Sequence, residues 1–277
     1  MALSLGSSLA TKVYLGATEI NLAYFGATQV YSSAAFSAEA QNYFSRLDAA
    51  GDTTYVDYKQ PLANYIDGLV ALGGAYWDTM LSACSYVGVG IQGITVPLRA
   101  GMTVPTQNNF VAGDLDVLTG LKGDASTKYI YTGKSTNDLL QDDHSMSVYL
   151  TGSRETGANR YISGDNSDLT ILGNTAGFRS RSAAATLDTN GAATTEADLV
   201  GISRNNSSNY NWKYNSSGTN TRTSSAITTE NINVFASGSF DANKTAARLA
   251  TYHVGPALDL ATLEALQDTL ITEIAAI

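Results

Sequence analysis

The sequence predicts a mainly β protein: a two-sheet sandwich or jelly roll, preceded by a β-ribbon and a small helical block and closed by a C-terminal helix. Three observations predict it. From Tyr86 to about Gly255 the chain runs in short alternating stretches broken by turn residues, the period-2 pattern of half-buried strands. No helical period falls between those stretches, which argues against a parallel βαβ architecture. Charged residues make up only 15% of the chain while hydrophobic residues make up 44%, so a sizeable core is available and Gly, Ser, Thr and Asn fill the turns.

The first element is a repeat. Val13-Tyr14-Leu15-Gly16-Ala17-Thr18-Glu19-Ile20 is echoed ten residues later by Ala23-Tyr24-Phe25-Gly26-Ala27-Thr28-Gln29-Val30, and Ser4 to Ser8 form a degenerate earlier copy. Each unit reads as strand, Gly-centred turn, strand. Such a ribbon is too small to bury a core alone. Its apolar residues Tyr14, Leu15, Ile20, Tyr24, Phe25 and Val30 are therefore the candidate docking or oligomer contacts. The bland reading is an edge hairpin of the main domain.

A helical block follows. Phe36, Ala40, Tyr43, Phe44 and Leu47 share a face, with Ser37 as N-cap and Gly51 as stop. Pro61 sits in the first turn of a second helix bearing Leu62, Tyr65, Ile66, Leu69 and Leu72. Trp77, Met80, Leu81 and Cys84 have i, i+3, i+4, i+7 spacing, which predicts a third. Helices are expected near 37–50, 61–72, 76–84 and 259–275, and domains at 1–31 (ribbon), 32–84 (helical block) and 85–277 (sandwich with its helix).

Within the β region, Met146, Val148 and Leu150 alternate, as do Leu169 and Ile171. Tyr210, Trp212 and Tyr214 share a face opposite Asn211 and Lys213. Asn215 to Gly218 read as a turn into a strand over Thr219 to Ser224. Ile232 to Phe235 and Arg248 to Val254 complete the strands. Asp259 is placed to cap a last helix with an apolar stripe of Leu260, Leu263, Leu266, Leu270 and Ile274, which must pack on the sandwich or on symmetry mates.

The net charge of −9 and pI of about 4.6 argue against nucleic acid, which demands clustered Lys and Arg, and give no attraction to an anionic membrane. The opening MALSLGSSLA lacks a basic n-region, and no run approaches a membrane span, so synthesis in the cytoplasm without a leader is expected. The single Cys84 forms no intrachain disulfide or cysteine zinc site and reads as a buried, inert thiol.

Three blocks resemble tailed-bacteriophage or phage-like virion fibre and spike proteins. The VYLGATEI/AYFGATQV repeat resembles a leader found ahead of such proteins. The block around Tyr76 to Lys128, with PTQNNFVAGDLDVLTGLKGDASTKYI at 105–130, resembles their pattern of a Trp helix, a Cys and a Pro-Leu strand. LVGISRNNSSNYNWKYN through RLATYHVGPALDL is similar to the closing strands of their concanavalin-like jelly roll. The resemblance implies a structural virion protein, a spike or fibre subunit on head or tail. It implies other virion proteins as partners, host attachment, virion localisation and a homo-oligomer, with a trimer favoured. It carries no catalytic residues.

Enzyme signatures are absent from the sequence. The seven Glu form no paired-carboxylate pattern of the ExDxxE kind. Gly133-Lys134-Ser135 ends like a phosphate loop, but Lys128 occupies the position of the required first Gly. There is no GxSxG elbow. His144 and His253 read as structural, and Asp114 with Asp116 lacks EF-hand spacing, so no metal or cofactor is expected. The one glycan-binding candidate is the row Tyr210, Trp212 and Tyr214. Its aromatic faces can stack on sugar rings; the competing and favoured reading turns them into the core. The alternative function is accordingly a carbohydrate-binding module for bacterial surface polysaccharide.

Overall fold

The computed structural model describes the strands between 13 and 32, and residues 36–152, 157, 159–164, 169–174, 177–191, 198–237 and 243–277. The chain divides into two compact units, Met1–Ser37 and Ala38–Ile277. In the first, β1 (Val13–Leu15) pairs with β2 (Thr18–Ile20), and β3 (Leu22–Phe25) pairs with β4 (Thr28–Ser32), both antiparallel. Each repeat thus closes on itself as one hairpin.

The second unit opens with α1 (Ala38–Ala49) and α2 (Lys59–Ala71). Ala40, Tyr43, Phe44 and Leu47 of α1 are buried, as the period predicts. Gly51 stops α1 at φ 79°, a conformation that suits glycine. Its N–H donates to the Asp48 carbonyl at 2.9 Å and the Asp52 N–H to the Leu47 carbonyl at 3.0 Å, which satisfies two of the orphan carbonyls at the helix end.

The third helix departs from expectation. α3 spans only Gly74–Thr79; at Met80 ψ is 126° and the chain leaves the helix. Ser82–Ser85 is instead a strand, β5, whose Cys84 pairs with Tyr252. All four of its residues are buried. A strand covered on both faces has no polar alternation, so its apolar spacing imitates a helical stripe.

The remaining strands are β6 (Thr106–Asn108), β7 (Leu115–Asp116), β8 (Gly120–Lys122), β9 (Tyr129–Ser135), β10 (His144–Leu150), β11 (Arg160–Ser163) and β12 (Leu169–Asn174). They continue with β13 (Gly177–Ser182), β14 (Asp188–Asn190), β15 (Asp198–Arg204), β16 (Asn209–Tyr214), β17 (Ser216–Thr221), β18 (Asn231–Val234) and β19 (Arg248–Gly255). One sheet has eight strands in the order β17-β16-β15-β10-β19-β8-β7, with β5 also paired to β19; the other has seven, β14-β13-β12-β11-β18-β9-β6. The pairings within both are antiparallel. This is a jelly-roll sandwich. The hairpin of β16 and β17 is tighter than expected: pairing continues to Tyr214↔Ser216 around Asn215, whose φ of 52° Asn tolerates better than most residues.

The core lies between the sheets. Met146, Val148 and Leu150 of β10 and Val200 and Ile202 of β15 pack with Ile162, Ile171 and Phe178 of the seven-stranded sheet. The other face of the eight-stranded sheet carries smaller and more polar residues and is covered by α2 and by α4 (Leu260–Ala275). Asp259 caps α4 by accepting from the Ala261 N–H at 3.2 Å. Leu260, Leu263, Leu270 and Ile274 are buried within the chain itself. The stripe of α4 therefore has an internal partner, and does not call for symmetry mates. Polar bonds tie the layer down. Tyr149 Oη donates to Asp268 at 2.6 Å, Gln267 Nε2 to Thr251 Oγ1 at 2.6 Å, and Tyr65 Oη lies 2.6 Å from His253 Nε2.

Candidate functional site

The aromatic row on β16 is placed by the pleat. Tyr210 is 1% exposed and Tyr214 fully buried, and both belong to the core between the sheets. Trp212 is half-buried. Its indole meets Phe178 edge-on at 6.0 Å between ring centroids. It also lies over Gly218 on the neighbouring strand: a Cβ at 218 would stand 2.5 Å from the ring, so the glycine makes room for the tryptophan. The faces of Tyr210 and Tyr214 are occupied by protein. Tyr14 and Leu15 fall on β1, Ile20 on β2, Tyr24 and Phe25 on β3 and Val30 on β4; their side chains lie outside the described residues.

The titratable candidates are each held by their own surroundings. His144, on the inner face, lies 2.8 Å from the Leu140 carbonyl and 2.8 Å from Ser182 Oγ of the opposite sheet. His253 turns to the helical layer and Tyr65. The two histidines thus face opposite sides of one sheet and do not meet. Burial pushes His144 down to about 4 and His253 down to about 3. Cys84 is fully buried, 3.6 Å from Tyr252 Oη, and burial pushes its thiol up to about 12, the condition of an unreactive cysteine. Asp114 pairs with Lys128 at 2.5 Å, and Asp116 accepts from the Leu118 and Thr119 amides. Gly133 to Ser135 end the strand β9. Among the described residues no three His, Cys, Asp or Glu side chains gather in a metal-binding group, and no helix is long and apolar enough to cross a membrane.

The concave surface runs beside Asn211 and Trp212 of β16. A hollow of about 410 Å³ is lined by Asp143, Ser203, Asn205, Asn211, Ala257, Leu258 and Asp259. A second, of about 210 Å³, shares Asn211, Leu258 and Asp259 with it and extends along Trp212, Ser217, Gly218, Thr219 and the first residues of α4. Together they form one groove, bounded by the segment leading into α4. Sheet register explains its floor. Ser203 pairs with Asn211 and Asn211 with Thr219, so the three side chains form a row across β15, β16 and β17. Ser203 is used up in holding the wall: its Oγ donates to the Leu258 carbonyl at 2.7 Å and accepts from the Leu258 N–H at 3.0 Å. Asn211 lies beyond the wall and is exposed.

The fold and groove define a class of architecture: a β-sandwich body with a helical backing layer and a shallow polar cleft at its edge. Among solved structures the chain is similar to the botulinum neurotoxin serotype D binding domain, with a TM-score of 0.51 and 11% identity over 70% of this chain and 52% of that one. It also matches an HCR/D mutant with a TM-score of 0.48 and 10% identity over 73% and 53% of the two chains. The match spans about half the length of those structures, and at this identity the likeness is one of fold. No family model and no curated protein matches the sequence.

Proposed function

We propose that this chain is a non-catalytic structural subunit of a tailed-phage or phage-like particle, a spike or fibre whose sandwich is displayed and whose N-terminal repeat docks it. The observation that carries the reading is the division into a short unit of two like hairpins and a larger compact unit. A repeated ribbon offers backbone edges to a neighbouring sheet, while the body remains free to contact a host surface. The phage assignment itself draws on the sequence resemblance of the ribbon, the 105–130 block and the closing strands. A homo-oligomer, trimeric as in fibres, and other virion proteins are the partners of this reading. Nucleic acid and membrane have no place in it, given the net charge of −9.

The test is incorporation. A chain lacking residues 1–31 is expected to fold as a body and fail to join particles, and Phe25→Asp to weaken joining by bringing an unpaired charge to a dry contact. Normal incorporation of the truncated chain would remove the docking role.

A second reading is favoured by the groove: the body acts as a carbohydrate-binding module. The similar solved structure is itself a binding domain. The two readings coexist in a subunit that attaches particles to a glycan-coated cell.

A further inference from the structure

We infer that the groove between β15–β17 and the segment leading into α4 binds a neutral pyranoside, with Asn205, Asn211 and Asp143 as its polar contacts. The inference rests on the carbohydrate-binding reading and gives it a site that borders Trp212 but not the buried Tyr210 and Tyr214. The groove is the right size: its larger part alone, about 410 Å³, lies within the range of small-ligand clefts.

The lining chemistry selects the ligand. Neither hollow is lined by a Lys or Arg, and Asp143 and Asp259 both contribute. An anionic ligand is therefore repelled. A hard divalent cation demands six or more oxygens in one shell, and no group of three acidic or imidazole side chains is present among the described residues. What remains is a mix of carboxamide donors and carboxylate acceptors beside the apolar Leu258 and Trp212. Vicinal sugar hydroxyls each donate and accept, and match such a mix pair by pair.

The side chains are also held ready. Asn211 has its oxygen fixed by Thr219 Oγ1 at 2.8 Å, and Asn205 has its oxygen fixed by Asn206 Nδ2 at 2.9 Å. The amide nitrogen of each has no partner among the described residues. Asp143 accepts from the Ala257 N–H through one oxygen at 2.8 Å and leaves the second open. One end of each group is anchored by the protein and the other end is open, an arrangement that reduces the ordering lost on binding. A shallow, exposed cleft of this kind binds a single sugar weakly, on the order of millimolar, and gains strength by repetition in an oligomer.

The experiment is a titration of the ¹⁵N-labelled full chain with the methyl pyranosides of glucose, galactose, mannose and N-acetylglucosamine. It is followed by amide and side-chain carboxamide resonances. At least one probe is expected to give saturable shifts at Asn205, Asn211, Leu258 and Asp259. Asn205→Ala with Asn211→Ala is expected to weaken that probe about tenfold or more, the loss of two hydrogen-bonded contacts. Both residues are exposed, so melting should match the parent chain. Saturable shifts that map elsewhere and survive the double substitution would overturn the groove and leave the carbohydrate reading standing. No saturable shift with any probe would overturn both.

Discussion

Tyr210 Oη donates to Asp188 Oδ2 at 2.8 Å, joining β16 of the eight-stranded sheet to β14 of the seven-stranded one. Arg222 adds a 2.5 Å ion pair to the other Asp188 oxygen. Asn220 Nδ2 donates to both Tyr210 Oη and Asn190 Oδ1 at 2.9 Å, and Asn190 Nδ2 to Ser180 Oγ at 2.7 Å. The cluster clasps the two sheets near their edge. Burial, with the Asp188 carboxylate adding to it against the Ser180 and Asn220 hydrogen bonds, pushes the Tyr210 phenol up to about 12, so it keeps the proton it donates.

Tyr210→Phe leaves a buried Asp188 oxygen without its phenol donor. Loss of one such bond costs about 1–3 kcal/mol. Urea unfolding of the parent and variant measures it; equal midpoints would show that the clasp contributes nothing.

Phe178 stands between Trp212 and Tyr214, at 6.0 and 5.9 Å between ring centroids. Phe178→Ala opens a cavity in the packed centre and should cost roughly 3–5 kcal/mol. A loss below about 1 kcal/mol in the same assay would mean the site collapses or was never tightly packed.

Acid should loosen the fold through two histidines. In the unfolded chain an imidazole takes up a proton near 6.5, whereas in the folded protein burial holds His144 near 4 and His253 near 3. The unfolded state therefore binds more protons below 6.5. The stabilisation is present above that pH and is lost as pH falls towards 4 and 3, by up to about 1.4 kcal/mol per pH unit for each histidine. A melting temperature that stays flat from pH 7 to 4 would contradict this.

Glu264 works in the opposite sense. Lys213 bridges it to Asp198, with the ammonium 3.8 Å from Asp198. Burial, then the nearby Asp198 carboxylate, raises Glu264 to about 7 from 4.5, against the pull of Lys213. Its contribution is present below 4.5 and lost as pH rises through 7. Glu264→Gln should become progressively more stable relative to the parent as pH rises from 4.5 to 7. A stability difference independent of pH would show that Glu264 stays ionised throughout.

Much of the sandwich is legible in the sequence because one face of its strands is greasier than the other. Met146, Val148 and Leu150 alternate with Ser145, Ser147 and Tyr149, and the structure turns the first set inward. Asp259 and the leucines after it mark α4 as plainly. β5 is not legible, since Ser82 to Ser85 are all buried and carry no alternation. The aromatic row shows a different limit. Period 2 says that Tyr210 and Tyr214 share a face but not which face. The groove is hidden for another reason. Asp143, Asn205, Asn211 and Asp259 come from four separated positions, and Asn in a turn-rich β sequence looks like turn chemistry until register lines it up beside Ser203 and Thr219.

In the proposed reading the N-terminal repeat docks a displayed body. It is tested most directly by supplying a deletion phage with the chain lacking residues 1–31 and probing purified particles for it. A folded, soluble body that is absent from the particles is expected, while the full chain restores incorporation. Particles carrying the truncated chain at the full-chain level would contradict it.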